Sequence, residues 1–204
     1  NKIYFTFTTQ KRTNVLYIHE KEHKSIRTLF GRDSLLCNYI SMPIKEIRYE
    51  LISKQNLIIL DQINKPNNSL LSNLEEYMNV GGSLVVTPTD NIESINRWLS
   101  SMKIDTFNKW DTTTYNLSNI NQKHPLFKNV FDGKLDKINL PEVFSHYSLK
   151  RPIKSKREVL LSLENGDEFL NTYKIGSGSL YLFTSDFSSS NFSNHALFVP
   201  TWLN

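Results

Sequence analysis

The segment from Leu57 to Val86 constrains the fold more than any other. It reads LIIL, a polar break through NKPNN, the stretch SLLSNLEEYMN, Gly81-Gly82, and then SLVV. LIIL is apolar at every position and too short to be a helix, the signature of a strand buried on both faces. SLVV (Ser83 to Val86) reads the same way. Between them, apolar residues at 70, 71, 74, 77 and 78 mark one face of a helix. Asn68 or Ser69 can cap its start and Gly81-Gly82 its end. A strand, a covering helix and a second buried strand imply a crossover between parallel neighbours.

The same grammar recurs on both sides. VLYI (Val15 to Ile18) is another buried strand. A helix follows over Ser25 to Phe30, with Ile26, Leu29 and Phe30 facing inward and Gly31 as its stop. YISMPI is a weaker strand. TDNIESINRWLSSM is a helix in which Asp90, three residues before Glu93, forms a capping-box-like pair. Its buried stripe is Ile92, Ile95, Leu99 and Met102, which leaves Trp98 on the far edge. After residue 105 the character changes. TFNKWDTTTYNL and INLPEVFSHYSL read as irregular or edge strands, and REVLLSLENGDEFLNTYKIGSGSLYLFTSDF as a meander. Asn165-Gly166 suits a type I′ turn and Gly176-Ser177-Gly178 the next turn. HALFVPTWLN begins a helix. The fold expected is therefore α/β: a parallel sheet with flanking helices plus a C-terminal antiparallel β-meander.

Composition agrees with one large domain. Of 204 residues, 39% are hydrophobic and 22% charged, enough for a proper core. The net charge of +4 is mild. Its one local cluster, Lys150, Arg151, Lys154, Lys156 and Arg157, contains Pro152 and Ser155 and reads as a solvated loop rather than a nucleic-acid patch. A single cysteine, Cys37, allows no internal disulfide. No apolar run approaches a membrane span, and no signal peptide is recognisable. Because the sequence starts at Asn1 rather than Met, it is expected to be an excised piece of a longer protein.

Several motifs invite a chemical reading. His19-Glu20-Lys21-Glu22-His23 matches the H-E-x-x-H zinc signature. That chemistry needs both imidazoles one turn apart on a half-buried helix. Here His19 follows directly on a strand, Lys21, Glu22 and Lys24 are charged, and His124, His146 and His195 stand isolated, so a loop is expected. In a parallel sheet the reactive groups belong to the turns after the strands. Those turns carry His19, Asp61-Gln62 and Thr87-Pro88-Thr89-Asp90. A nucleophile elbow needs glycine around its Ser or Cys, and Thr87-Pro88-Thr89 has proline instead. Cys37 reads as a core thiol, Gly176-Ser177-Gly178 as a hairpin rather than a phosphate loop, and His124-Pro125-Leu126-Phe127 as a structural turn. Trp110 and Tyr115 are candidate surface contacts. The only crevice residues proposed are Asp61, Thr87, Thr89 and Asp90. No catalytic residue, cofactor or metal is assigned.

The order of elements also resembles a known family. VLYI, NLIILDQI, LLSNLEEYMNVGG and SLVVTPTDN, followed by HPLF and GSGSLYLFTSDF, resemble the class I glutamine amidotransferase-like fold, a flavodoxin-type parallel sheet. Within it, LFGRDS, GGSLVV and NHALFVPTWLN look like the domain of large membrane-anchored BatA-like, aerotolerance-type proteins of Bacteroidetes. The resemblance covers residues 12–204. Residues 1–11, with the alternating strand IYFTFTT, would then be a trailing strand or linker from a preceding module. It implies an extracytoplasmic, periplasmic domain of a membrane-anchored envelope protein, partnered by other modules of its chain or by envelope proteins and not by nucleic acid. True amidotransferases place a Cys in a glycine-flanked elbow after the strand matching SLVV, with a His and a Glu further on. Thr87-Pro88-Thr89 stands there instead, so the resemblance implies a non-catalytic interaction domain. The alternative is an unrecognised hydrolase or amidotransferase-like enzyme using the crevice at the strand C-terminal ends.

Overall fold

The computed structural model describes residues 12–31, 37–127, 139–153, 155–195 and 197–203. The expected strand at 3–9, the second half of LFGRDS (32–34) and Lys154 lie outside them. In chain order the regular elements are β1 (Thr13–His19), α1 (Lys24–Gly31), β2 (Cys37–Pro43), β3 (Leu57–Asp61), α2 (Asn68–Asn79) and β4 (Ser83–Val86). Then come α3 (Glu93–Ser101), β5 (Thr106–Asp111), β6 (Tyr115–Ile120), β7 (Glu142–Val143) and β8 (His146–Lys150). The last are β9 (Arg157–Leu163), β10 (Glu168–Ile175), β11 (Gly178–Phe183) and α4 (Phe198–Leu203).

Nine strands form one sheet in the order β2-β1-β3-β4-β11-β10-β9-β6-β7. The first five run parallel and the last four antiparallel. β5 and β8 pair separately as a ribbon. The expected α/β class with a large parallel sheet is present, and the antiparallel strands are continuous with it. Alternation along each strand sorts the core into two layers. Leu16, Ile18, Ile58, Leu60, Leu84 and Val86 face α2 and α3, while Val15, Tyr17, Ile59, Val85 and Phe183 face α1 and α4.

Local chemistry explains where the elements stop, and it corrects several expectations. Asn67, not Asn68 or Ser69, caps α2: its Oδ1 accepts the Leu70 N–H at 2.8 Å. Asp90 caps nothing. The residue before α3 is Ile92, with no side-chain cap, because the helix starts later than the Asp90–Glu93 spacing implied. Trp98 is buried rather than marginal, and its Nε1–H donates to Glu75 Oε1 at 2.6 Å. That bond draws the indole into the layer between α3 and α2, where an apolar count alone places no tryptophan. YISMPI is part of a full strand, β2, parallel to β1 along its whole length.

The turn at Asn165-Gly166 is not type I′, because only Gly166 has positive φ, at +88°. The Gly166 N–H donates to Leu163 O and the Leu163 N–H to Asp167 O. This is a three-residue loop of a type I turn followed by a left-handed glycine. The basic cluster is not simply solvated. Arg151 and Arg157 both pair with Glu168, and Arg157 also lies 3.7 Å from the fully buried Asp105. This chain of charges ties the ends of the β5–β8 ribbon to β9 and β10. β11 can lie so close to β4 only because residue 178 has no side chain. A Cβ there would sit 2.2 Å from the Gly82 carbonyl oxygen and 2.4 Å from that of Met78.

Candidate functional site at the strand ends

The chain leaves β1 outward to β2 and returns on the other side to β3, so the connections diverge between β1 and β3. Open parallel sheets receive ligands at the carboxyl ends of the strands beside such a point. His19 ends β1 and Asp61 ends β3, paired in register. Thr87 follows β4. Strand alternation places Tyr17, Asp61 and Thr87 on the α1 side of the sheet.

These residues satisfy one another. Tyr17 O–H donates to Asp61 Oδ2 at 2.6 Å, and Thr87 O–H donates to Asp61 Oδ1 at 2.5 Å. Backbone donors then close the outer lone pairs. The Gln62 N–H reaches Thr87 Oγ1 at 3.0 Å and the His23 N–H reaches the Tyr17 oxygen at 2.8 Å. Gln62 holds φ at +52°, a left-handed turn fixed by this contact. Asp61 is 1% exposed. Burial lifts its carboxyl to about 6, against the opposing hydrogen bonds from Thr87 and Tyr17. Burial, together with Asp61, pushes the Tyr17 hydroxyl well above its ordinary value. Thr89 is also buried, and donates to Asn64 Oδ1 at 2.5 Å. Of the four residues read from the sequence, Asp61 and Thr87 touch, Thr89 lies one turn further along, and Asp90 is exposed. The polar atoms of Asp61 and Thr87 are engaged with each other, with Tyr17 and with the Gln62 N–H.

Sequence reasoning missed a second cluster beside it. His19 Nε2 lies 2.9 Å from Ser41 Oγ, and Ser41 O–H donates to Glu22 Oε1 at 2.8 Å. Glu22 and His23 belong to the HEKEH motif, and Ser41 to β2. Only the parallel pairing of β1 with β2 brings them together, and nothing in the spacing from 19 to 41 announces it. A carboxylate only accepts, so the single hydroxyl proton of Ser41 points to Glu22, and His19 must donate its Nε2–H to Ser41. His19 Nδ1 is then a buried acceptor with no donor among the described residues. Burial lowers the pKa of both His19 and His23, which favours neutral rings. The two imidazoles of HEKEH thus diverge, one to β2 and the other toward Phe187, their ring centroids 5.8 Å apart in the latter contact. Among the described residues no group of three or more His, Cys, Asp or Glu could hold a metal ion.

On the opposite side of the sheet the β5–β8 ribbon overhangs the strand ends. Tyr147 O–H donates to the Thr89 carbonyl at 3.3 Å, and Trp110 packs on Tyr147 with ring centroids 4.6 Å apart. Trp110 and Phe144 stay 38% and 42% exposed. Tyr115, the other expected surface contact, is half-buried and packs edge-on against His146.

No protein-family model matches the sequence, and no curated protein matches it. Solved structures do. Cytoplasmic protein STM1381 of Salmonella typhimurium LT2 superposes with a TM-score of 0.71 at 15% identity, over 94% of this chain and 97% of that one. A putative ThuA-like protein from Bacteroides uniformis gives 0.63 at 14% identity, over 97% and 94%. A β-galactosidase from Bacillus circulans gives 0.64 at 13% identity, over 93% of this chain but only 30% of the enzyme. At these identities the likeness is one of fold. It corrects the expected kinship with BatA-like membrane proteins, since the structures matching end to end are named cytoplasmic and ThuA-like proteins. The expected periplasmic, membrane-anchored setting falls with it: STM1381 and the similar STM3548 are both named cytoplasmic. Among the described residues no helix is long and apolar enough to cross a membrane. The chain has the mixed α/β fold of these proteins, built on a large, mostly parallel central sheet.

Proposed function

We propose that this chain is a non-catalytic interaction domain with an amidotransferase-like, flavodoxin-type fold. The strand order β2-β1-β3-β4-β11 follows the 2-1-3-4-5 order of flavodoxin-type sheets, which supports the fold reading. One observation carries the functional reading: the hydroxyl at the nucleophile position is locked. Thr87 gives its proton to a buried carboxylate and receives a backbone N–H on one of its two lone pairs, so the hydroxyl is held in one orientation with its proton already engaged. Its partner would be another protein, or another module of the same polypeptide. The exposed rings of Trp110 and Phe144 offer the aromatic anchors that such contacts use.

A second reading rests on Ser41. A hydroxyl 2.9 Å from an imidazole and 2.8 Å from a carboxylate has the makings of a nucleophile with its base. The proton count above argues against it at rest, because Ser41 donates to Glu22 and accepts from His19. The test is turnover of ester, amide, glutamine and glycoside substrates by wild type, Ser41→Ala and Thr87→Val. The interaction reading expects no turnover above buffer in any of the three. Turnover by wild type that disappears in Ser41→Ala would establish the enzyme instead.

A further inference from the structure

The loop between β9 and β10 carries reactive chemistry of its own. Of the chain's asparagines only Asn165 precedes a glycine. Both residues of the pair are exposed. Asp167, the next residue, is tied to the β5–β8 ribbon. Its Oδ2 lies 2.9 Å from Nε2 of His146, which is fully buried in β8. A carboxylate only accepts, so the imidazole donates.

We propose that Asn165 is a self-modification site: attack by the Gly166 nitrogen converts its amide irreversibly to a carboxylate and loosens the tie between this loop and the ribbon. Three observations lead there. First, residue 166 has no side chain to shield its nitrogen. Second, Asn165 Oδ1 accepts the Asp167 N–H at 3.0 Å, an Asx-turn that folds the side-chain carbonyl back over the Gly166 nitrogen. The same N–H stabilises the negative charge that Oδ1 gains as the ring closes. Third, Asn165 Nδ2 donates to Asp167 Oδ2 at 2.9 Å, which sets a carboxylate beside the nitrogen that must leave. The Gly166 N–H itself donates to Leu163 O at 3.0 Å, so cyclisation proceeds when this turn bond opens.

The reaction needs only water. The Gly166 nitrogen bonds to Cγ of Asn165 and gives up its proton. The bond from Cγ to Nδ2 breaks, and the amide leaves with a proton as ammonia. Water then opens the cyclic imide at either carbonyl, giving aspartate or isoaspartate. Either product removes the Nδ2 donor and puts a second negative charge beside Asp167. Isoaspartate also adds a methylene to the backbone of a turn closed by two hydrogen bonds. The interaction reading above does not bear on this chemistry.

The test is peptide mapping by mass spectrometry of wild type and Gly166→Ala, aged in mildly alkaline buffer. In wild type, conversion at Asn165 to both acids should run ahead of every other asparagine. It should outpace Asn68-Ser69 in particular, whose backbone is held in α2. Gly166→Ala places a methyl where nothing lies within 4 Å, and should slow conversion several-fold. Hydrogen exchange of fresh Asn165→Asp and Asn165→Ser then reads the consequence, with circular dichroism confirming that each is folded. Asn165→Asp should exchange faster than wild type in β8, and faster there than the uncharged Asn165→Ser. Asn165 staying intact while other asparagines convert, an unchanged rate in Gly166→Ala, or wild-type exchange in β8 of Asn165→Asp would each overturn the proposal.

Discussion

The carboxyl of Asp61 makes the strand-end network measurable from outside. Burial raises it from 3.8 to about 6, so between those values the folded chain keeps a proton that the unfolded chain has released. Stability follows the difference in bound protons, unfolded minus folded, which is negative across this window. Its contribution is therefore most favourable below pH 3.8, declines as pH rises, and levels off above about 6. At about 1.4 kcal/mol per pH unit the shift from 3.8 to about 6 amounts to roughly 3 kcal/mol. His19 and His23 act in the opposite sense. Their lowered values mean that the unfolded chain takes up protons first, so they remove stability as pH falls through the ordinary histidine range. Other groups overlay both trends, and the comparison must be differential. Urea unfolding of wild type and Asp61→Asn, at half-unit steps from about pH 4 to pH 7, isolates the carboxyl. The stability of wild type relative to the variant should fall by roughly 2.4 kcal/mol from the acid to the neutral end, the rest of the shift lying below pH 4. A difference that stays flat with pH, or rises, would show that Asp61 is not held in the buried environment described, and the argument from the locked Thr87 hydroxyl would go with it.

Three further outcomes follow from the same contacts. Thr87→Val removes the donor to Asp61 and the acceptor for the Gln62 N–H, leaving two buried groups unpaired, and should cost about 2–4 kcal/mol in urea unfolding. Gly178→Ala forces a methyl against two backbone carbonyls that cannot move separately, so the expected loss is about 3 kcal/mol, seen as a lowered thermal midpoint. Arg157→Met leaves the buried carboxylates of Asp105 and Glu168 without their shared cation. It should destabilise by about 3–5 kcal/mol, with hydrogen exchange rising first in the β5–β8 ribbon.

What the sequence made legible was what depends on short-range pattern. β1, β3, β4, α1 and α2 were readable because aliphatic runs and a helical stripe are local properties of the chain. The β9–β10–β11 meander was readable because two glycine-bearing turns mark its corners. Caps were less so: Asn67, Asn68 and Ser69 are all good cap residues, and only the accepted Leu70 N–H distinguishes the first. The site was half legible. Asp61 and Thr87 were found as residues following buried strands, but the sequence gives no sign that they bond to each other rather than face a ligand. Tyr17 was read as core, and it is core, yet its hydroxyl completes the network. Ser41 escaped notice because its importance comes from strand pairing across twenty-two positions. The solvated-loop reading of the basic cluster holds for Lys150, Arg151 and Lys156, which are exposed, but the ion pairs made by Arg151 and Arg157 were missed for a similar reason. Glu168, the acid that organises Arg151 and Arg157, lies beyond a hairpin that had to fold before the pairing existed.

The place of β11 has a consequence for how the polypeptide is made. Its parallel partner β4 is finished at Val86, yet Ser179 must arrive before Ser83 finds its neighbour. During synthesis the edge of β4 therefore stays open while the ribbon and two strands of the meander are still emerging. An unpaired aliphatic edge of this kind is a template for the wrong chain. A truncation anywhere before Gly178 should accordingly yield aggregates rather than a smaller stable domain.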